Sequence, residues 1–174
     1  MLDNYKILTI THHNLNVDEI GNFVVHHEGK EQLKSKLSLL IKNANLEELI
    51  YLSTCNRVSF ICYSNEEFDI DYIKSFFKYV NPELDEDKLK KISKFVDVYN
   101  GSKAVNHLYE VASSMDSLVV GEREIFRQFR EAYQQIGAQV QDGSYKPDTS
   151  NKHTHIGSIH DLCLAEIRAK FLGA

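Results

Sequence analysis

The sequence predicts an α+β fold: a ferredoxin-like βαββαβ antiparallel sheet with helices on one face, followed by a small helical subdomain. Three observations predict it. Four short runs with strand character fall at 5–11, 49–54, 57–64 and 95–99. Helically spaced apolar residues fill the interval before the second run and the interval after the third. The second and third runs are separated by two residues, the spacing of a hairpin.

The elements follow in order. Y-K-I-L-T-I-T at Tyr5–Thr11 alternates apolar and polar residues, as a half-buried strand does, and a polar turn follows at 12–16. Leu33, Leu37, Leu40 and Ile41 keep helical spacing, and Asn43-Ala44-Asn45 predicts the stop. The next strand, 49–54, breaks at Cys55-Asn56. The strand beyond the break places Val58, Phe60 and Cys62 on one face and Ile61 and Tyr63 on the other. Ile70, Ile73, Phe77 and Val80 predict a helix that ends near Asn81-Pro82. A short charged helix at 85–92 and a strand at 95–99 lead to Asn100-Gly101. Ser102 then caps a helix carrying Ala104, Leu108, Val111, Ala112 and Met115. Ile125, Phe126, Phe129, Ala132, Tyr133 and Ile136 form a second helical stripe. From about Val140 the chain turns polar and loses periodicity. The expected organisation is a sheet subdomain at 1–100, a helical part at 101–139 and a poorly patterned tail at 140–174.

Composition narrows the function. The 174 residues are 43% hydrophobic and 26% charged, which suits a globular domain and excludes a disordered or collagen-like chain. A net charge of −5 argues against a general nucleic-acid coat, which is strongly basic. Three cysteines without a C-x-x-C pair predict neither a disulfide framework nor a zinc site, and they fit a reducing compartment. No apolar run approaches the ~20 residues of a membrane span, and the polar N-terminus does not read as a signal peptide. A cytoplasmic protein with no membrane partner is expected. No G-x-G-x-x-G lies between a strand and a helix, so no cofactor-binding residues are assigned. The histidines lack an H-E-x-x-H context, and no metal site is assigned.

Ser53-Thr54-Cys55-Asn56-Arg57 is the most informative segment. A cysteine at a strand break sits on the rim of a sheet, and a cation such as Arg57 beside it favours thiolate, the nucleophilic form. Thr54 and Asn56 can donate hydrogen bonds to a carboxylate or an oxyanion. On spacing alone, a turn-filling cysteine beside a solvated Arg57 fits as well. Cys62, on an alternating strand face, reads as a small core residue. His107 offers a proton carrier for a cysteine nucleophile, or else it is a histidine at the edge of the core. Arg123, Arg127 and Arg130 recur along one helix, consistent with phosphate contact or with a solvated face.

S-T-C-N-R at 53–57, N-H-L-Y-E-V-A-S-S-M-D-S-L-V-V-G-E at 106–122 and R-E-A-Y at 130–133 together resemble the N-terminal catalytic domain of glutamyl-tRNA reductase. T-I-T-H-H-N-L-N-V-D-E-I is a weaker match to that family's first strand and loop. The resemblance runs from about Ile7 to Gln135, with its motifs in order. It implies that Cys55 attacks the ester joining glutamate to the tRNA 3′ end, forming a thioester that NADPH reduces to glutamate-1-semialdehyde for tetrapyrrole synthesis. It implies an activity-critical His107. It implies substrate contacts from Thr54, Asn56, Arg57, Ser117, Glu122, Arg123, Glu124 and Gln128. Arg57 suits the substrate carboxylate through two parallel hydrogen bonds. The family's G-E-P-Q-I is Gly121-Glu122-Arg123-Glu124-Ile125 here, which loses a proline and exchanges a neutral amide for a carboxylate. Gly21 lies close to where an arginine is common in the family.

The resemblance also implies an NADPH-binding domain and a dimerisation domain that this chain does not match. The expectation is therefore a truncated chain, monomeric although the intact family member is a homodimer, and at most a glutamyl-tRNA esterase by itself. Glutamyl-tRNA and a downstream aminomutase are the implied partners. The alternatives are a non-catalytic module that binds glutamyl-tRNA or a partner protein, and an unrelated cysteine hydrolase.

Overall fold

A strand buried along its whole length marks the middle of a sheet, and Arg57–Tyr63 is such a strand. The structure is a computed structural model and describes residues 2–112 and 127. Four strands form one antiparallel sheet: β1 (Tyr5–Thr11), β2 (Glu48–Thr54), β3 (Arg57–Tyr63) and β4 (Asp97–Asn100). Their spatial order is β2-β3-β1-β4. Thr54 pairs with Arg57 across the hairpin, so the break at Cys55-Asn56 is a two-residue turn, as predicted. Thr11 pairs with Arg57 on the other side, which brings the end of β1 to the same rim.

Side chains alternate between the two faces of a strand. Val58, Phe60 and Cys62 join one apolar cluster, whereas Ile61 and Tyr63 join another, as the sequence predicts. The first cluster is covered by α2 (Lys30–Asn43) and α3 (Ile70–Val80). Leu33, Leu37 and Leu40 of α2 and Ile73, Phe76, Phe77 and Val80 of α3 are buried there. Phe23, Phe60, Phe76 and Phe77 are almost wholly enclosed and meet edge to face, a favoured geometry for aromatic quadrupoles.

The helices that lie between strands all pack on this first face, as expected, and the helix that follows the sheet takes the other. Ile7, Ile50, Leu52, Ile61 and Tyr63 line the opposite face, and α5 (Ser102–Ala112) covers them with Ala104, Leu108 and Val111. The reason is visible in β3: Val58, Phe60 and Cys62 fill one face, and Ile61 and Tyr63 leave apolar surface on the other, so each needs a cover.

The ends of the elements have local causes. Asp69 caps α3 by accepting a hydrogen bond from the Tyr72 N–H at 2.8 Å. The helix stops at Val80 because Pro82 forces Asn81 into an extended conformation. Asn45 adopts the left-handed conformation after α2, and Leu46 N–H returns to Ile41 O, closing the helix end. Gly101 has φ +59°, and its N–H donates to Tyr5 O. This left-handed turn reverses the chain from β4 into α5.

Several expected boundaries shift. Gly101, not Ser102, is the cap: its carbonyl accepts from Val105 N–H, and Ser102 is already helical. Ile70 is 39% exposed, and Phe76 replaces it in the buried stripe. The charged helix splits into α4 (Glu86–Lys90) and a 3-10 turn, Ile92–Lys94, which moves the last strand to Asp97–Asn100. Past the polar turn, α1 (Val17–Ile20) and a 3-10 turn at Gly21–Phe23 bury Ile20 and Phe23, a pair at i,i+3 spacing. No helix among the described residues is long and apolar enough to cross a membrane.

Candidate active site

The β2–β3 turn presents Cys55 to solvent as a free thiol. Thr54 Oγ1 donates to Asn56 Oδ1 at 2.9 Å, and the Asn56 N–H approaches Thr54 Oγ1 at 3.4 Å. Asn56 O accepts from the His12 N–H at 3.0 Å. The turn is therefore held from both sides: by its own side chains and by the segment that leaves β1. The thiol therefore stands on a turn tied at both sides and stays open to solvent.

Arg57 is only 2% exposed. This overturns the picture of a solvated arginine beside a turn cysteine. A guanidinium stays charged when buried and presents its donors as a rigid fork. Alternation places Arg57 on the face covered by α5, along with Ser59 on the same strand and Thr9 and Thr11 on β1. All four are buried. Thr9 Oγ1 and Ser59 Oγ lie 2.6 Å apart, and Thr9 Oγ1 also donates to Val58 O. Thr11 Oγ1 donates to Asn14 Oδ1 at 3.0 Å and accepts from His13 N–H. This face is thus apolar at Ile7, Ile61 and Tyr63 and polar toward Cys55.

His107 is 5% exposed and stacks on Tyr99, with ring centroids 4.0 Å apart and planes within 6°. Its Nδ1 lies 3.8 Å from Glu110 Oε2. Tyr99 pairs with Ile7, four residues along β1 from Thr11. At about 3.3 Å per residue that is ~13 Å from the rung that ends at Arg57. The structure thus gathers Thr54, Cys55, Asn56 and Arg57 at one rim and sets His107 on the same face, nearer the apolar end.

Half-buried His12 follows the last residue of β1. Its Nδ1 is enclosed and has no hydrogen-bond partner among the described residues. The His13 ring lies against it at 3.9 Å. Sequence reasoning weighed the histidines only as metal ligands and assigned these two no role. It also passed over Thr9, Thr11 and Ser59, although polar residues at alternate positions of a buried strand were a usable signal.

Cys62 is fully enclosed, and burial pushes its thiol well above the ordinary range. It is a core residue, as predicted. No group of three or more metal-ligating side chains occurs among the described residues. Ser117, Glu122, Arg123, Glu124 and Gln128, the second helical stripe, Cys163 and the 140–174 tail lie outside the described residues.

Comparison with known proteins adds the family. The family model described as "Glutamyl-tRNAGlu reductase, N-terminal domain" matches residues 8–147. A glutamyl-tRNA reductase of Campylobacter hominis is 37% identical over 132 residues, covering 75% of this chain and 29% of the relative. One from Campylobacter curvus is 40% identical over 144 residues, covering 82% and 30%. One from Aquifex aeolicus is 39% identical over 103 residues, covering 59% and 24%. The chain therefore spans less than a third of the length of these relatives. The solved glutamyl-tRNA reductase from Methanopyrus kandleri shares the fold, with a TM-score of 0.64 at 22% identity, covering 95% of this chain and 34% of that one.

Proposed function

Because the chain belongs to the glutamyl-tRNA reductase family through its N-terminal domain, we propose that it carries the acyl-transfer half of that chemistry, with Cys55 as nucleophile. One observation carries the reading: a solvent-reachable free thiol on a fixed two-residue turn, directly followed by a buried arginine. In the proposed step, Cys55 Sγ attacks the carbonyl carbon of the glutamyl ester. The C–O bond to the tRNA ribose breaks, and a glutamyl thioester remains on the chain. The Arg57 fork matches the side-chain carboxylate of glutamate. Thr54 and Asn56 shape the turn and line the approach to the thiol. His107 orients the substrate from the α5 side of the same face. Ser117, Glu122, Arg123, Glu124 and Gln128 are proposed as further substrate contacts.

A thioester accepts hydride more readily than an oxygen ester, which makes sulfur the useful nucleophile ahead of a reduction. NADPH is the proposed hydride donor of the whole family protein. The residues described here do not fit it, because no glycine-rich turn joins a strand to a helix. The chemistry derived for this chain therefore ends at the thioester. Glutamyl-tRNA as substrate, tetrapyrrole synthesis as the destination, a homodimeric whole protein, a downstream aminomutase partner and a cytoplasmic setting belong to the same proposal. We also read the β2-β3-β1-β4 order, with helical segments joining β1 to β2 and β3 to β4, as a ferredoxin-like arrangement.

The test is discharge of radiolabelled glutamyl-tRNA without NADPH. The chain should release free glutamate or retain label on protein, and Cys55→Ser should lower this by about 100-fold or more. Equal discharge by both proteins would sink the assignment.

A further inference from the structure

We propose that His12 is the proton carrier for acylation of Cys55. The inference rests on the reading of Cys55 as the acyl-accepting thiol. Three observations support it. The last β1–β3 rung is Thr11–Arg57, and the next backbone contact beyond it is His12 N–H to Asn56 O at 3.0 Å. His12 is thereby fixed beside the residue that follows Cys55. Its Nδ1 is enclosed without a hydrogen-bond partner among the described residues, although the residue as a whole keeps some exposure. Buried polar atoms in folded proteins are ordinarily paired, and each exception calls for a cause, a catalytic role among them. Finally, the other candidate, His107, is stacked on Tyr99 and sits ~13 Å of strand away from the Arg57 rung.

The chemistry needs such a group. The Cys55 thiol must lose a proton as its sulfur bonds to the acyl carbon, and the departing ribose oxygen must gain one. The imidazole of His12 takes the proton from Sγ and returns it to that oxygen as the C–O bond breaks. No electron acceptor or donor is required, and the histidine ends in its starting state. Histidine is the side chain whose charge changes near neutrality, which suits both halves of the transfer.

The variants suit a clean test, because the bond that pins residue 12 comes from its backbone N–H and survives substitution. Discharge of glutamyl-tRNA is measured for the full chain and for Cys55→Ser, His12→Gln, His12→Ala and His107→Gln, alongside tRNA binding and thermal midpoints. His12→Gln should lower discharge by about 100-fold with binding and midpoint unchanged, and added imidazole should restore part of the loss in His12→Ala. If Cys55→Ser abolishes discharge while His12→Gln stays within about twofold of the parent, the role of His12 is overturned and that of Cys55 stands. A loss in His12→Gln that tracks a lowered midpoint and ignores imidazole overturns it too, by making the residue structural. If Cys55→Ser discharges normally, or the parent binds the tRNA and neither releases glutamate nor retains label, both readings fall.

Discussion

The two faces of the sheet are made from the same strands and serve different ends. The α2/α3 face is a continuous apolar layer in which Phe23, Phe60, Phe76 and Phe77 interlock. The α5 face is apolar only in part, and it also encloses Thr9, Thr11, Arg57, Ser59 and His107. Burying polar groups costs free energy unless each finds a partner. A face that accepts that cost is not arranged for stability alone. β1 and β3 contribute to both faces, so rigidity built on one side holds the rim geometry on the other.

The two faces differ most in energy at Phe60 and Ser59, neighbours on β3 that point to opposite faces. Phe60→Ala should lower unfolding free energy by about 3–5 kcal/mol, through lost burial and the cavity left among the rings. Ser59→Ala should cost only about 1 kcal/mol, because Thr9 Oγ1 keeps Val58 O as an acceptor. Urea unfolding followed by circular dichroism measures both. Equal costs would mean that the two faces share the load.

The packed face also sets the alkaline limit. Burial raises the Cys62 thiol from its ordinary value of 9.0 and raises the Tyr51 and Tyr72 phenols from 10.0. Above pH 9 the unfolded chain gives up the thiol proton, whereas the folded chain keeps it. Stability is therefore full below that pH and falls as pH rises, by about 1.4 kcal/mol per pH unit for one such group. Cys62→Ala should flatten the slope of stability against pH by about that amount over the first unit above 9.0. An unchanged slope would assign alkaline unfolding to groups elsewhere.

The sequence carried the rim better than it carried the cover. Two strand runs set two residues apart located the turn at Cys55-Asn56, and alternation beyond it sorted Val58, Phe60 and Cys62 from Ile61 and Tyr63, because strand geometry is local. The stripe of Ala104, Leu108 and Val111 announced a buried helix side, but a stripe does not say which surface it meets. The burial of Arg57 was hidden for the same reason: an arginine at a strand end reads as exposed until its cover is known. His12 was illegible as a site residue, since its position depends on a backbone bond to Asn56, far along the chain. The family motifs placed Cys55 and His107 in one argument, and no periodicity could have spaced them along the sheet.

Two mild substitutions separate stability from activity, because they cost about the same and fall on opposite faces of the sheet. Asp69→Ala removes the cap of α3 on the packed face, at a cost of about 1 kcal/mol. Gly101→Ala puts a side chain at φ +59°, where a Cβ would stand 3.2 Å from Asp3 Oδ1. That carboxylate is exposed and can yield, which leaves a left-handed backbone penalty of about 1 kcal/mol. The strain falls at the root of α5, the helix that carries His107 on the face shared with the polar strip. Both variants should melt within a few degrees of each other, yet only Gly101→Ala should slow glutamyl-tRNA discharge, by about threefold to tenfold. Equal slowing in Asp69→Ala would show that activity follows global stability, and the division of labour between the faces would be lost.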